Sequence, residues 1–431
     1  MKVLVIGSNG REHALAVKYS ESKKTDVIFI APGNGLTNYK TKKIKNIEIA
    51  MTDLDALVRF SKKEKVDLVD VAQDDCLAKG YVDRFQKENI VVFGPTQKAS
   101  QLEWDKKWAR NFMVKYNQPI PPFKSFTNPK EAISYVKKLP DQLLFVKASG
   151  LALGKGVIRA ENREQAIEAI KAMQRFGNAG KTFLIEEGMV GEEFTLFAIV
   201  DCEHYVITKT SQDHKTIFDG DKGPNTGGIG SVSPTSAVTS RLIKEIEKTI
   251  IKPTLAGMKK EGRPYSGILY LGGMITPKGV RIVEFNARWG DPEAEVILPS
   301  IKTDYLEIVQ AVINEKLYKL KIDFDTRMRV SVAGCSRGYP NDYAHVKGKE
   351  IFGLHEAGKF PGITIYGAGI IRKGKRFSVN GGRVFHLVAE GDTVQQARVR
   401  AYGAMAMISI EGNNLHYRTD IGWRDVERMQ R

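Results

Sequence analysis

Cysteine is scarce in this chain of 431 residues, with only Cys76, Cys202 and Cys335. Odd in number, far apart and without a C-x-x-C, they exclude a disulfide framework and a zinc ribbon, and fit buried thiols in a reducing cytosol. The seven histidines show no H-E-x-x-H or similar ligand spacing, so no histidine-built metal centre is expected. Long apolar runs are missing, which excludes a membrane-spanning helix. The opening strand Met1–Gly7 is short, ends in glycine and lacks the apolar stretch of a signal peptide. A cytoplasmic protein without a membrane partner is expected. Acidic residues are in deficit, with 50 Asp and Glu against 66 Lys and Arg and a net charge of +16. From Thr326 onward, 17 basic residues face 9 acidic ones. A nucleic-acid binder would gather that charge on one face. Here it is scattered, with no long basic run and no aromatic–basic motif. The excess is therefore read as a field that focuses small anionic substrates, with no nucleic-acid partner.

The length calls for two to four domains. Residues 2–6 read as a strand, followed by Gly7-Ser8-Asn9-Gly10 and a helix opening at Arg11-Glu12-His13. Such a strand–loop–helix start offers backbone N–H groups to an anion. It is not a dinucleotide fingerprint, because Asn9 and Glu12 stand where glycines are needed, which weighs against a nicotinamide oxidoreductase. Strand 27–30, helix 53–64, strand 67–71, helix 76–88 and strand 90–93 continue the alternation of a parallel, doubly wound sheet, closing near Gly94-Pro95. A helix over 97–116 carries Lys106 and Lys107, and Pro119-Ile120-Pro121-Pro122 reads as a rigid linker.

Beyond the linker, strand 143–147 runs into Lys147-Ala148-Ser149-Gly150-Leu151-Ala152-Leu153-Gly154-Lys155-Gly156. The glycines and lysines suit a phosphate-covering loop, although the Walker A spacing is absent. Helix 162–175 and strand 182–186 complete a lobe that ends at Glu186-Glu187, followed by Glu192-Glu193. Gly223-Pro224-Asn225-Thr226-Gly227-Gly228-Ile229-Gly230 is a polar, glycine-dense loop of the kind that approaches a ligand closely. Helix 239–260, strands 265–275 and 280–286 and helix 303–314 follow. After about 326 come strands 328–333, 363–366, 369–372 and 384–389 and a helix 392–409, a small mixed β unit with a covering helix.

The chemistry concentrates in Val280–Glu295, V-R-I-V-E-F-N-A-R-W-G-D-P-E-A-E. Val280, Ile282, Val283 and Phe285 predict a buried strand. Alternation then puts Glu284 and Asn286 on one face, a carboxylate and an amide oxygen of the kind that hard cations take. Arg288, Asp291 and Glu293 follow in a turn marked by Gly290 and Pro292.

Taken together, G-S-N-G-R-E-H-A, A-P-G-N, K-A-S-G-L-A-L-G-K-G-V, S-Q-D-H-K, G-P-N-T-G-G-I-G, E-F-N-A-R-W-G-D-P-E and D-I-G-W-R resemble the ATP-grasp superfamily, and within it the phosphoribosylamine–glycine ligases. The resemblance covers essentially the whole chain. It implies three domains: 1–102 for substrate, 103–325 as an ATP-grasp unit with a mobile lobe at about 123–190, and 326–431. It also implies a monomer, with ATP as co-substrate and Mg²⁺ or Mn²⁺ as cofactor. ATP would phosphorylate glycine, and 5-phosphoribosylamine would attack the acyl phosphate, in purine biosynthesis. Glu284 and Asn286 would hold the metal, Lys106 and Lys147 the phosphate chain, and Lys155 the lid. Glu186 and Glu187 would lie at the adenine, and Glu193 at the ribose. Arg288 would stabilise the transferring phosphoryl group, with Asp213, Asn225, Thr226, Gly227, Asp291 and Glu293 around the acceptor. The first-domain loops, with Gly10, Arg11 and Asp74, would meet the phosphoribosylamine. Departures from the family pattern are Asn9 for a glycine, Ser149 for aspartate, Trp289 for Phe or Leu, and Val71–Leu77 for Gly-Pro-Glu-x-Pro-Leu. Another ATP-grasp ligase is the nearest alternative, discriminated by the loops 72–79, 211–215 and 223–230.

Overall fold

The computed structural model describes residues 1–152 and 156–430. β1 (Lys2–Gly7), β2 (Val27–Pro32), β3 (Ile44–Asn46), β4 (Leu68–Val71) and β5 (Val92–Phe93) form a sheet in the order β3-β2-β1-β4-β5. Every pairing in it is parallel. β1 is buried from Val3 to Gly7, the continuous apolar run expected of a strand covered on both faces. The covering helices include α1 (Gly10–Ser20), α2 (Leu54–Glu64), α3 (Asp74–Ala78) and α4 (Tyr81–Lys87). The single helix expected over 76–88 is two, because Gly80 takes a left-handed conformation (φ 74°) that interrupts the ladder.

The helix expected over 97–116 is also two, α5 (Gln101–Trp104) and α6 (Lys106–Lys115). Asp105 between them is extended, and its carboxylate accepts from the Trp108 N–H as the N-cap of α6. The linker Pro119–Pro122 is held at both ends, by the Ile282 N–H on the Pro119 carbonyl and the Glu187 N–H on the Pro122 carbonyl.

Two four-stranded antiparallel sheets follow. β6 (Phe123–Phe126), β7 (Leu144–Ala148), β8 (Val157–Ala160) and β9 (Phe183–Glu187) form a lobe in the order β6-β9-β7-β8, with helices α7 (Pro129–Lys138) and α8 (Arg163–Ala172). In the second, β10 (Glu192–Asp201) and β11 (Tyr205–Ile207) join β16 (Ser266–Thr276) and β17 (Gly279–Asn286) in the order β11-β10-β16-β17. Between β11 and β16 the chain makes β12 (Gln212–Asp213), the hairpin β13 (Thr216–Phe218) and β14 (Lys222–Asn225), and β15 (Gly230–Ser233). A helical rod then runs through α9 (Ser240–Ile246), a π segment at Glu247–Ile251 and α10 (Lys252–Lys260).

After α11 (Ala294–Ile297) and α12 (Tyr305–Ile313), the last sheet takes strands from both sides of the sequence. β18 (Met328–Ser336) is antiparallel to β15, and β12-β15-β18-β23-β20 are successive neighbours. Here β20 is Ile363–Gly367 and β23 is Arg383–Gly391, with α13 (Val394–Met405) packed against the sheet. A smaller sheet, β21-β22-β19-β24, is built from β19 (Glu350–Phe352), β21 (Ile370–Lys373), β22 (Arg376–Val379) and β24 (Ser409–Ile410). No helix among the described residues is long and apolar enough to cross a membrane.

Candidate active site

A cleft of about 510 Å³ opens between the two central antiparallel sheets, with residues of the first domain and of β23 at its end. Its floor is β17. Glu284 and Asn286 both line the cleft, and the Phe285 side chain between them packs into the apolar core. The register shifts between Gly272 and Gly273 of the neighbouring β16, which pair with Glu284 and Ile282, so that Val283 is the extra residue of a bulge in β17. Burial alone would push the Glu284 carboxyl up. Lys215, Lys106, Lys147 and Arg288 outweigh that and hold it below the usual range. The Asn286 amide is satisfied in one orientation, with its NH₂ donating to Glu103 Oε1 (3.1 Å) and to the Phe285 carbonyl (3.1 Å). Its oxygen is then left for the cleft. Arg288 reaches back to Glu103 Oε1 (2.8 Å) and stands 4.0 Å from Asp74 of the first domain.

The opposite wall carries Lys147 and Glu186. The Glu186 carboxylate is gripped by Arg110 through two nitrogens (2.7 and 2.8 Å) and by Lys147 Nζ (2.6 Å). Burial raises it, but Lys147 and Arg110 overcome this and bring it down to about 2. Glu186 is thus a fixed anion that aims Lys147 into the cleft, where Lys106 and Glu187 also stand. Ser149, the expected departure from aspartate, has a structural part. Its hydroxyl donates to Asp105 (2.9 Å) and accepts from the Lys107 N–H (2.9 Å), pinning the end of β7 to the start of α6. Lys155 lies outside the described residues.

At the far end, Asp213, Asn225, Thr226, Gly227, Asp291 and Glu293 all line the cleft. Lys215 pairs with Glu193 (2.7 Å). Glu293 accepts from the Thr195 hydroxyl (3.1 Å). Burial and the neighbouring Glu293 push the Asp213 carboxyl well up, and its Oδ1 has no partner among the described residues. The two acids therefore present a cation-seeking corner. Arg383 crosses from β23 to Asp291 Oδ1 (2.9 Å) and to the carbonyls of Gly227 (2.8 Å) and Gly228 (3.1 Å). Behind it, Asp291, Glu295 and His386 bring ligand atoms within 4.8 Å of one another. The Arg383 guanidinium already supplies that cluster's positive charge, and Glu295 is pushed well up by burial and by Asp291. The cluster is an Arg383–Asp291 ion pair with the Glu295 carboxyl and the His386 ring packed beside it.

From the first domain, Arg11, Asp74 and Gln73 line the cleft. The Arg11 N–H donates to Asp291 Oδ2 (3.2 Å), and its guanidinium to the Trp289 carbonyl (3.1 Å). Gly10 does not line it. A Cβ there would lie 2.2 Å from Glu295 Oε1 and 2.7 Å from His386 Cδ2, so this glycine serves close packing. The expected anion-binding turn at the start of α1 already holds one anion, since Glu12 accepts from the Asn9 N–H (2.9 Å). Trp289 is buried, donating to the Tyr305 hydroxyl (3.0 Å).

Three family models match along the chain: the phosphoribosylglycinamide synthetase N domain at residues 1–103, its ATP-grasp (A) domain at 104–294 and its C domain at 329–424. A phosphoribosylamine–glycine ligase of Streptococcus pneumoniae is 41% identical over 99% of this chain and 100% of its own length. The chain belongs to the phosphoribosylglycinamide synthetase family. The Vibrio cholerae phosphoribosylamine–glycine ligase is 40% identical over the full length of both chains. The crystal structure of the Thermotoga maritima ligase superimposes with a TM-score of 0.82 at 31% identity, over 97% of this chain and all of that one. A Campylobacter jejuni biotin carboxylase, at 15% identity and a TM-score of 0.73, shares the fold.

For this synthetase family member, the sequence reading missed Glu103, Arg110, Lys215 and Arg383. Arg110 and Glu103 sat unremarked in a helix. Lys215 was visible in S-Q-D-H-K, but nothing local showed its ion pair with Glu193. Arg383 follows Gly381-Gly382, and that glycine pair was the one available signal.

Proposed function

We propose that the chain is an ATP-dependent ligase that joins glycine to 5-phosphoribosylamine, giving glycinamide ribonucleotide, ADP and phosphate in purine biosynthesis. The observation that carries this reading is the meeting, in one cleft, of a cationic wall, an oxygen-ligand pair and an acidic corner, in a chain aligned end to end with such ligases. ATP would lie between the two antiparallel sheets, with Lys106, Lys147 and Lys155 toward its phosphates and Glu187 and Glu193 toward the nucleoside. Asp213 and Glu293 fit the ammonium group of glycine, with Asn225, Thr226, Gly227 and Asp291 around it. A carboxylate oxygen of glycine attacks the γ-phosphorus and ADP leaves. The amine nitrogen of phosphoribosylamine then attacks the acyl carbon, phosphate leaves with the bridging oxygen, and the nitrogen loses a proton. Both reactants of the first step are anions, so positive charge must stand between them, and Arg288 would supply it. Arg11 and Asp74 face the amine substrate.

The donor set at Glu284 and Asn286 fits a hard dication, because the carboxylate is held ionised and the amide oxygen faces the cleft. Mg²⁺ or Mn²⁺ there would neutralise phosphate charge. The test is ADP release with glycine, with and without enzymatically generated phosphoribosylamine. Release that needs both supports the reading, and release indifferent to glycine removes it.

A further inference from the structure

Glu103 lies on α5, at the junction between the first domain and the cleft, and is 6% exposed. Its carboxylate serves three consecutive residues at the end of β17. It accepts from the Asn286 amide (3.1 Å) and the Ala287 N–H (2.8 Å), and forms an ion pair with Arg288 Nη2 (2.8 Å). Beyond Glu103, the Asn286 amide donates to the carbonyl of its neighbour Phe285 (3.1 Å). Arg288 otherwise donates to the neighbouring Trp289 carbonyl (3.1 Å) and stands 4.0 Å from Asp74.

We propose that Glu103 is a positioning residue that sets Asn286 and Arg288 together for phosphoryl transfer, and shares Arg288 with Asp74 of the first domain. The proposal rests on the roles given above to Asn286 and Arg288. An amide presents either oxygen or NH₂, and only oxygen can face a cation. By accepting from the NH₂, Glu103 fixes the oxygen toward the cleft. Arg288 is long and rotamer-rich. Without Glu103 its nearest carboxylate is Asp74, and its charge would be drawn to the start of α3. Since Asp74, in the first turn of α3, is assigned above to the amine substrate, a ligand engaging Asp74 would leave Arg288 wholly to Glu103. Arrival of the second substrate and alignment of the first reaction would then be linked through one guanidinium.

The test uses E103Q and E103D in the full chain. Partners that orient metal ligands typically matter by about 10- to 100-fold in metal affinity or activity. E103Q should lower kcat by about that factor, with KM for ATP changed less than about twofold, because Lys147, Glu186 and Arg110 do not touch Glu103. Mn²⁺ affinity, followed by electron paramagnetic resonance with ADP present, should fall about tenfold. The loss in E103Q/R288A should be clearly smaller than the two single losses combined, since the share of Glu103's effect that acts through Arg288 is already gone and only the share through Asn286 remains. Unchanged Mn²⁺ affinity, a KM for ATP that rises with the loss in kcat, or additive losses in the double variant would each overturn the proposal. E103D, which keeps the charge but shortens the reach, is read by the same measurements if E103Q does not fold. Failure of both to fold would assign Glu103 to stability alone. Wild-type protein that makes no glycine-dependent ADP would defeat the functional reading, and the Mn²⁺ titration would still decide Glu103.

Discussion

At the scale of single residues, the cleft is a set of buried charges that stabilise one another, and removing one exposes the cost of the rest. Glu186 sits between Arg110 and Lys147 with its carboxyl brought down to about 2. A carboxyl depressed in the folded state contributes stability that is present above its unfolded value, about 4.3, and lost as pH falls toward 2. E186Q should therefore be less stable than wild type by roughly 3 kcal/mol at pH 7, because Arg110 stays buried without its partner. In urea unfolding that gap should narrow as pH falls from about 5 to 3, and a gap constant across that range would refute the pairing as drawn. For Glu284, removing its charge from among four cations should reduce turnover by about a hundredfold or more while leaving circular dichroism unchanged. E284Q with near-normal ligation at ordinary Mg²⁺ would end the metal assignment. Gly10→Ala is a packing change. With Glu295 and His386 against it, overpacking should destabilise the protein by about 1–3 kcal/mol, and stability within about 0.5 kcal/mol of wild type would contradict that packing.

At the scale of elements, local chemistry was readable and distant pairing was not. The strand Gly279–Asn286 was legible because a period of two is written in its own residues, and with it the shared face of Glu284 and Asn286. Helix breaks at Gly80 and Asp105 were overlooked, though both follow from local rules: a left-handed glycine and a capping aspartate. β15 was hidden for another reason. Gly230–Ser233 reads as the tail of a glycine-rich loop until Val330–Val332, a hundred residues later, pairs with it. Glu103 was illegible in the same way, since Ala287, one of its partners, is 184 residues further on. Ser149 links two elements, and its reading as a substitute for aspartate missed the Asp105 it binds. S149A should destabilise the protein by about 1 kcal/mol in denaturant, because the partly buried Lys107 N–H and Asp105 lose a partner. No measurable change would show that this tie between β7 and α6 contributes nothing. Cleavage by trypsin after Lys147 is not expected, since that lysine is buried in mid-sheet and ion-paired.

For the whole molecule, the cleft draws on every part of the chain. Arg11 and Asp74 come from helices α1 and α3 beside the parallel sheet, Glu186 and Glu284 from the two antiparallel sheets, and Arg383 from the last one. That convergence suits a reaction whose two bond-forming steps share one enclosed intermediate, an acyl phosphate that water would otherwise destroy. The most direct test of such an intermediate follows an oxygen atom. With both carboxylate oxygens of glycine labelled with ¹⁸O, and ATP and phosphoribosylamine supplied, mass spectrometry of the products should find one label in inorganic phosphate and one in the amide. Phosphate without label, formed in step with the amide, would mean that glycine is never phosphorylated and would contradict the account.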